Sequence, residues 1–209
     1  LAKPAKWDAG VPPADFGAIV TATGADYAVG ITATPSEMPR LVRVGQADGE
    51  HTATLSVRAD LSAKPTTYEI RDNGVLEVGT DGRIDLGGGA AITTEGGADV
   101  RIVSGGFVEK PKDYTVSSGS WLVKDEGCFQ YGDGNEKGSI LRLQPAPMEK
   151  SVEFCFDTSE GKCQGASDFY QGRLYVGNCA GGSASLSFRG WGNEKLDQYS
   201  FFVKSHNPY

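Results

Sequence analysis

The chain has 209 residues, of which 39% are hydrophobic and 22% charged, and its formal net charge is −7. These values are typical of a globular protein that buries a core. The acidic balance and the absence of a Lys/Arg cluster argue against a nucleic-acid partner, because phosphates are bound by clustered cations. No apolar run approaches the ~18 residues of a transmembrane helix, so no membrane span is expected.

Residues 1–15 contain three prolines and Trp7 and predict an extended N-terminal arm, followed by a single all-β domain over residues 16–209. The chain begins at Leu1 with no initiator Met and no signal-like apolar core. We therefore expect a processed N-terminus from which a signal peptide has been removed, as in a secreted protein.

The first half of that domain reads as short strands joined by turns. Two β-branched runs around Gly24 predict a hairpin over residues 16–34, and alternating residues predict strands at 41–44 and 52–57. Asn73-Gly74 and Asp81-Gly82 are the strongest hairpin signals, because both dipeptides accept the positive φ of type I′ turns. No window repeats apolar residues at helical spacing over three turns, so no convincing helix is expected.

A strand, Gly turn and strand phrase recurs three times, at about residues 66–87, 120–143 and 168–188. Its middle strands begin at Val75, Cys128 and Arg173, which divide this part of the chain into steps of similar length. The phrase predicts antiparallel hairpins in a compact closed barrel. A pseudo-threefold β-trefoil is the favoured architecture, and a β-sandwich is the alternative.

Four cysteines, Cys128, Cys155, Cys163 and Cys179, all occur in the C-terminal part of the chain, none in a C-x-x-C spacing. This pattern predicts two disulfides in an oxidising compartment, with three pairings open. The symmetry of Cys155 and Cys163 about Ser159 favours 155–163 with 128–179, provided that this segment is a hairpin. Four reduced, buried cysteines in a cytosolic protein are the alternative.

The sequence predicts no catalytic residue and no cofactor. His51 and His206 accompany no nucleophile motif, so both are interpreted as surface residues. Asp133 and Asn135 begin a phrase similar to a calcium loop, but Lys137 stands where an oxygen ligand belongs. A tight hairpin loop accounts for this segment better than a metal site.

Three aromatic residues are candidates for stacking on a ligand: Trp191, Tyr170 and Trp121. Glycines flank Trp191 and would let its indole protrude. Alternation along the strand favours a core position for Trp121, and the large apolar area of an indole favours the core for Trp191 as well.

Several short stretches follow one another in a set order: Asn73-Gly-Val-Leu76 with Asp81-Gly-Arg83, residues 121–127, and residues 169–175 with Cys179. Over about residues 66–188 this order resembles that of fungal secreted cell-wall proteins, namely the PhiA-like group and the C-terminal domain of PIR-type proteins (proteins with internal repeats). The resemblance implies a secreted, disulfide-bonded, non-enzymatic wall or surface protein. The chain has no PIR repeat, so covalent glucan attachment is not implied.

Three functions are expected from these observations. The first is a structural or interaction protein of the cell wall or cell surface, whose partner is a wall polysaccharide or a surface protein. The second is a carbohydrate-binding module or lectin that uses exposed aromatics. The third is an extracellular glycoside hydrolase, which would need two facing acids within ~10 Å in a cleft.

Overall fold

The computed structural model describes residues 17–46, 49–110, 114–116, 118–123, 127–131, 140–143, 151–157, 173–176 and 183–189. For residues 110, 114, 115 and 128, and for those after Phe129, the description covers the backbone. In these ranges every regular element is a β-strand, and all paired strands run parallel. The chain is therefore all-β, as expected, and no helix occurs in the described part.

The seventeen described strands form four sheets. The long sheet has seven strands: β2 (Tyr27–Ile31), β4 (Ala53–Val57), β6 (Gly74–Val78), β9 (Asp99–Ile102), β12 (Gly119–Val123), β15 (Ser151–Asp157) and β17 (Ser183–Arg189). A four-stranded sheet, which we call the first face, has β1 (Gly17–Val20), β3 (Leu41–Val44), β5 (Thr67–Ile70) and β8 (Ala91–Thr94). A three-stranded sheet, which we call the third face because it follows the first face and the long sheet along each coil, has β7 (Arg83–Asp85), β10 (Phe107–Lys110) and β13 (Cys128–Tyr131). The remaining sheet has β11 (Tyr114–Val116), β14 (Ile140–Leu143) and β16 (Arg173–Val176).

Successive strands lie in different sheets, and within each sheet the neighbouring strands come from successive coils. Along the long sheet, for example, Val57, Val78, Ile102 and Val123 occupy one register position in four successive coils. This connectivity makes the protein a β-solenoid, in which the chain winds into stacked coils and each coil contacts its neighbours.

The core is a set of ladders of apolar side chains inside the coils. Strands β4 and β12 alternate buried and partly buried positions, as period-2 geometry requires. One ladder consists of Leu55, Leu76, Val100 and Trp121, which are all at most 1% exposed. The Trp121 ring meets that of Phe129, from the third face, edge to face at 5.8 Å. The long sheet and the third face therefore share one core.

Tyr68 of β5 adds a buried phenol to this core. Its environment favours the neutral group, since desolvation raises the pKa of Tyr68, while the Thr66 hydroxyl lowers it by a smaller amount. The Thr66 hydroxyl itself donates to the Pro39 carbonyl oxygen across a coil, at 3.0 Å.

The predicted antiparallel barrel is wrong, and with it both the β-trefoil and the β-sandwich. Strands β1 and β2 do not pair with each other, so residues 16–34 do not form the expected hairpin; instead β1 pairs with β3 and β2 with β4. Asn73 and Asp81 do adopt positive φ, at 57° and 63°. These turns are corners between sheets, because a left-handed residue can redirect a chain without reversing it.

The repeat phrases at 66–87 and 120–143 are likewise strands of different sheets and not hairpins. The first part of the third phrase, residues 168–172, and the N-terminal arm at 1–15 lie outside the described residues.

Candidate functional site

Charged side chains on the outside of the coils pair with one another across neighbouring coils. On the first face, Arg43 lies 2.8 Å from Glu69, its register partner on the next strand. Arg71 continues this row to Glu95, at 3.8 Å. On the long sheet, Arg58 lies 2.7 Å from Glu77. These pairs are partly exposed, so each contributes little stability, but together they balance charge along the surface.

Arg83 is the centre of a polar cluster on the third face. Its guanidinium lies 2.9 Å from the Glu109 carboxylate and 4.9 Å from the centroid of the Phe107 ring. The hydrogen bond to Glu109 raises the pKa of Arg83 against the opposing effect of desolvation, and the charges of Glu109, Asp60 and Asp85 raise it further. Arg83 therefore stays a cation that ties two coils together.

The carboxylates of this cluster accept hydrogen bonds from fixed donors. The Ser62 hydroxyl and the Ser62 backbone N–H, which lies 2.9 Å from Asp60 Oδ1, lower the pKa of Asp60. Asp85 accepts from the Gly87 N–H at 2.6 Å. Asp85 and Glu109 are register partners on neighbouring strands. The donors within its own turn therefore favour the ionised form of Asp60, whereas a glycosidase acid must hold a proton near neutral pH.

Two cavities are formed by described residues where the chain passes from one coil to the next. The smaller, of about 200 Å³, is mainly apolar and is lined by Ile31, Pro35, Met38 and Val42, among others. The larger is a groove of about 640 Å³ that we call the corner groove. It crosses the segments that lead into β3, β5 and β8, and Glu37 is the single acid among its described lining residues.

Trp121, one of the three stacking candidates, is 1% exposed and packs in the core. Alternation along β12 predicted this position. A buried indole presents no face to a sugar, so the stacking role does not hold for Trp121. The other two candidates, Tyr170 and Trp191, lie outside the described residues.

The two disulfides stay a prediction. Cys163 and Cys179 lie outside the described residues, and the other two cysteines lie in described strands. Cys128 begins β13 in register with Phe107, and Cys155 stands within β15 in register with Leu122 and Ser187. The proposed 155–163 pairing assumed a hairpin, but β15 has parallel partners on both sides.

The weak calcium-loop residues Asp133 and Asn135, and also His206, lie outside the described residues. His51 lies just before β4, with its Nδ1 3.9 Å from Asp26. In the described part of the chain, no three His, Cys, Asp or Glu residues come together as a metal site would require. A helix with the length and apolarity to cross a membrane is also absent from that part.

Sequence reasoning missed the third-face cluster. Its signal is a short phrase that occurs twice, one coil apart: Gly82-Arg-Ile-Asp85 and Gly106-Phe-Val-Glu109. Each phrase has a glycine, an outward residue, a buried apolar residue and an acid. A search at the coil period would have aligned Arg83 with Phe107 and Asp85 with Glu109.

Comparison with known proteins adds no functional assignment: no family model, no curated protein and no solved structure matches this chain.

Proposed function

We propose that this protein is a secreted, non-enzymatic structural or interaction protein of a cell wall or cell surface. The observation that carries the proposal is the solenoid fold, in which outward-facing charged side chains form ion pairs between neighbouring coils. Arg43, Arg58 and Arg83 each pair with an acid one coil further along the chain. Stacked parallel coils give an extended surface that suits contact with another macromolecule.

The secreted location is supported by the even number of cysteines and by the resemblance to fungal wall proteins over about residues 66–188. Small numbers of paired cysteines are typical of oxidising compartments. The natural partner of such a protein is a wall polysaccharide or a second surface protein.

The test is to locate the full-length protein in the organism that makes it and to titrate its thiols. We expect the protein in the culture medium or in wall extracts, with its four cysteines unreactive to maleimide until a reductant is added. A cytosolic protein with four reactive thiols would overturn the proposal.

A carbohydrate-binding module or lectin is the second candidate, and the corner groove is the observation that favours it. The aromatic candidates for this function are Trp191 and Tyr170, which lie outside the described residues. A glycan array of the wild type beside Trp191→Ala tests their role. Binding that survives Trp191→Ala unchanged would remove Trp191 from the mechanism, and the absence of any bound glycan would remove the function.

The glycoside hydrolase is the weakest of the three. In the described cavities Glu37 has no second acid facing it. The neighbouring acids Asp85 and Glu109 of the third face are bonded to Gly87 and Arg83 instead.

A further inference from the structure

The first described coil has an edge without the usual protection against further strand pairing. Within the described residues, β1 and β2 each have a strand partner on one side only. Neither strand contains a charged residue or a proline, and Ile19 of β1 is 63% exposed. Natural sheet edges are blocked by charges, prolines or a covering segment, because bare backbone groups recruit other strands. A cover over the first coil is therefore expected.

The apolar cavity of about 200 Å³ lies at the end of β2, on this same coil. Its buried lining includes Ile31, Met38 and Val42. Thr32 and Ala33, which also line it, are exposed, so the cavity opens to the surface. A dry apolar cavity of about 150 Å³ holds a benzene ring, so one aromatic side chain can fill a cavity of this size.

The register of the first coil indicates which segment can reach the cavity. Gly17 is the register partner of Leu41. A chain that continues the coil backwards from Gly17 therefore passes beneath the residues that precede Leu41, which include Met38. Trp7 precedes Ile31 by the same interval as Gly17 precedes Leu41. One more coil of that length brings Trp7 beneath Ile31, an inward position on the cavity wall.

The composition of residues 1–16 suits a segment that ends a sheet. It contains three prolines together with lysines and aspartates. Proline has no N–H to offer a further strand, and charged side chains disfavour pairing at an edge. This segment therefore has the protection that β1 and β2 lack, and it can cover their edge without creating another. Solenoids need a terminal unit of this kind, with a polar outer face, to stay in solution.

We propose that residues 1–16 form a cap on the first coil, with the Trp7 indole seated in the apolar cavity against Ile31, Met38 and Val42. Burial of the indole holds the cap, and the cap closes the edges of β1 and β2 to other chains. The cap does not depend on the wall or surface function proposed above.

The test is fluorine NMR of the full chain labelled with a fluorinated tryptophan, which gives one resonance for each of the three tryptophans. Trp7→Phe identifies the Trp7 resonance by its loss. We expect that resonance to be as well shielded from a soluble paramagnetic agent as that of Trp121, which is 1% exposed. A Trp7 resonance that is broadened like free indole overturns the proposal. Sedimentation then tells whether a second copy of the chain covers the edge instead, as a dimer, or whether the edge of a monomer stays open.

Variants of the core locate the indole. Met38→Ala enlarges the cavity, so it should shift the Trp7 resonance and leave that of Trp121 in place. Val108→Ala is the matched control, because Val108 is also buried but lies in register with Phe129, whose ring meets Trp121. It should shift the Trp121 resonance and leave that of Trp7 in place. If Met38→Ala does not move the Trp7 resonance, or if Val108→Ala moves it as much, the indole does not occupy the cavity.

Thermal unfolding measures what the cap contributes. Trp7→Ala should lower the melting midpoint by about 3–10 °C, because it removes a buried aromatic side chain. Trp7→Phe should lower it by less, since a smaller ring still fills part of the cavity. Lys6→Ala changes the adjacent position, which faces outward by alternation, and should leave the midpoint unchanged. A Trp7→Ala variant that melts with the wild type, or a Lys6→Ala variant that loses as much as Trp7→Ala, would refute the cap.

Discussion

Three glycines at equivalent corners show how one residue type sets the path of the chain. Gly82, Gly106 and Gly127 stand immediately before β7, β10 and β13. A Cβ at each position would overlap a backbone carbonyl oxygen of the preceding coil, those of Val57, Val78 and Ile102 respectively. Backbone atoms in a stacked sheet cannot move aside without breaking their ladder. The close approach of the two coils therefore requires glycine at this corner.

Neighbouring glycines at one corner separate this steric effect from backbone strain. Gly105 has a φ of 78° and open space around its added Cβ, whereas that of Gly106 would overlap the Val78 carbonyl. We expect Gly105→Ala to cost about 1 kcal/mol for the left-handed conformation. Gly106→Ala should cost at least about 3 kcal/mol, because two coils must separate. Urea unfolding of both variants measures the difference, and equal costs would contradict the steric explanation.

Sequence reasoning predicted the local conformation of these corners and misjudged their role in the fold. Asn73 and Asp81 have the positive φ expected of Asn-Gly and Asp-Gly turns. The strand after each turn, however, pairs with strands of other coils and not with the strand before the turn. The φ of one residue is a local property set by its side chain. The partner of the next strand depends on contacts with residues distant in sequence, which dipeptides do not encode.

At the scale of the strand, the alternation of apolar and polar residues did not reveal whether the strands pair in parallel or antiparallel. Parallel sheets are usually covered on both faces, so their strands read as continuous apolar runs, while antiparallel sheets with one wet face alternate. Here β3, β4 and β5 are parallel but alternate buried and partly buried residues, because a solenoid has one face inside and one outside. The same alternation correctly placed Trp121 in the core. Burial was thus predictable from the pattern, and topology was not.

Two hydrogen bonds, each from a side chain to a backbone carbonyl, join the end of β8 to the residue before β12. The Thr94 hydroxyl donates to the Ser118 carbonyl, and the Ser118 hydroxyl donates to the Thr94 carbonyl. Both residues are buried, at 8% and 2% exposure. Reciprocal bonds of this kind join two coils at a point where β8 has no described strand partner on its far side.

We expect Thr94→Val and Ser118→Ala each to destabilise the protein by about 1–3 kcal/mol, because each leaves a buried carbonyl without its donor. The double variant should cost less than the sum of the two, since the residues form one unit. Thermal and urea unfolding give these values. Thr93→Val, at the exposed neighbouring position, should change stability by no more than about 0.5 kcal/mol. Strict additivity in the cycle would show that the two bonds act independently.

At the scale of the whole molecule, an uneven repeat hid the solenoid. The step along the chain from Val57 to its register partner Val78 is much shorter than the later step from Leu122 to Cys155. The phrase at 66–87, 120–143 and 168–188 compared strands from different sheets. Turn residues and short strands occur on every side of a coil, so a sequence motif made of them matches at positions that are not structurally equivalent. Equivalent positions can be recognised in the sequence only where each coil needs the same residue for steric reasons, as at Gly82 and Gly106.

A solenoid should tolerate the loss of one whole coil and not of half a coil. Removing residues 83–106 joins Gly82 to Phe107 and takes out the single coil between two equivalent corners. Val78 would then stack on Val123, in the position that Ile102 occupies now. Because each coil contacts only its neighbours, we expect a folded β-protein with one cooperative melting transition at a lower midpoint.

Removing only residues 83–94 is the matched control, because it takes out β7 and β8 and leads the chain from Gly82 directly towards β9. That deletion brings the Asp99–Ile102 strand to the third face, out of step with every strand after it, so we expect no cooperative transition. Circular dichroism and calorimetry of both proteins measure the outcome. If the longer deletion unfolds the chain as completely as the shorter one, the coils are not interchangeable units. The stability would then reside in contacts that extend beyond neighbouring coils.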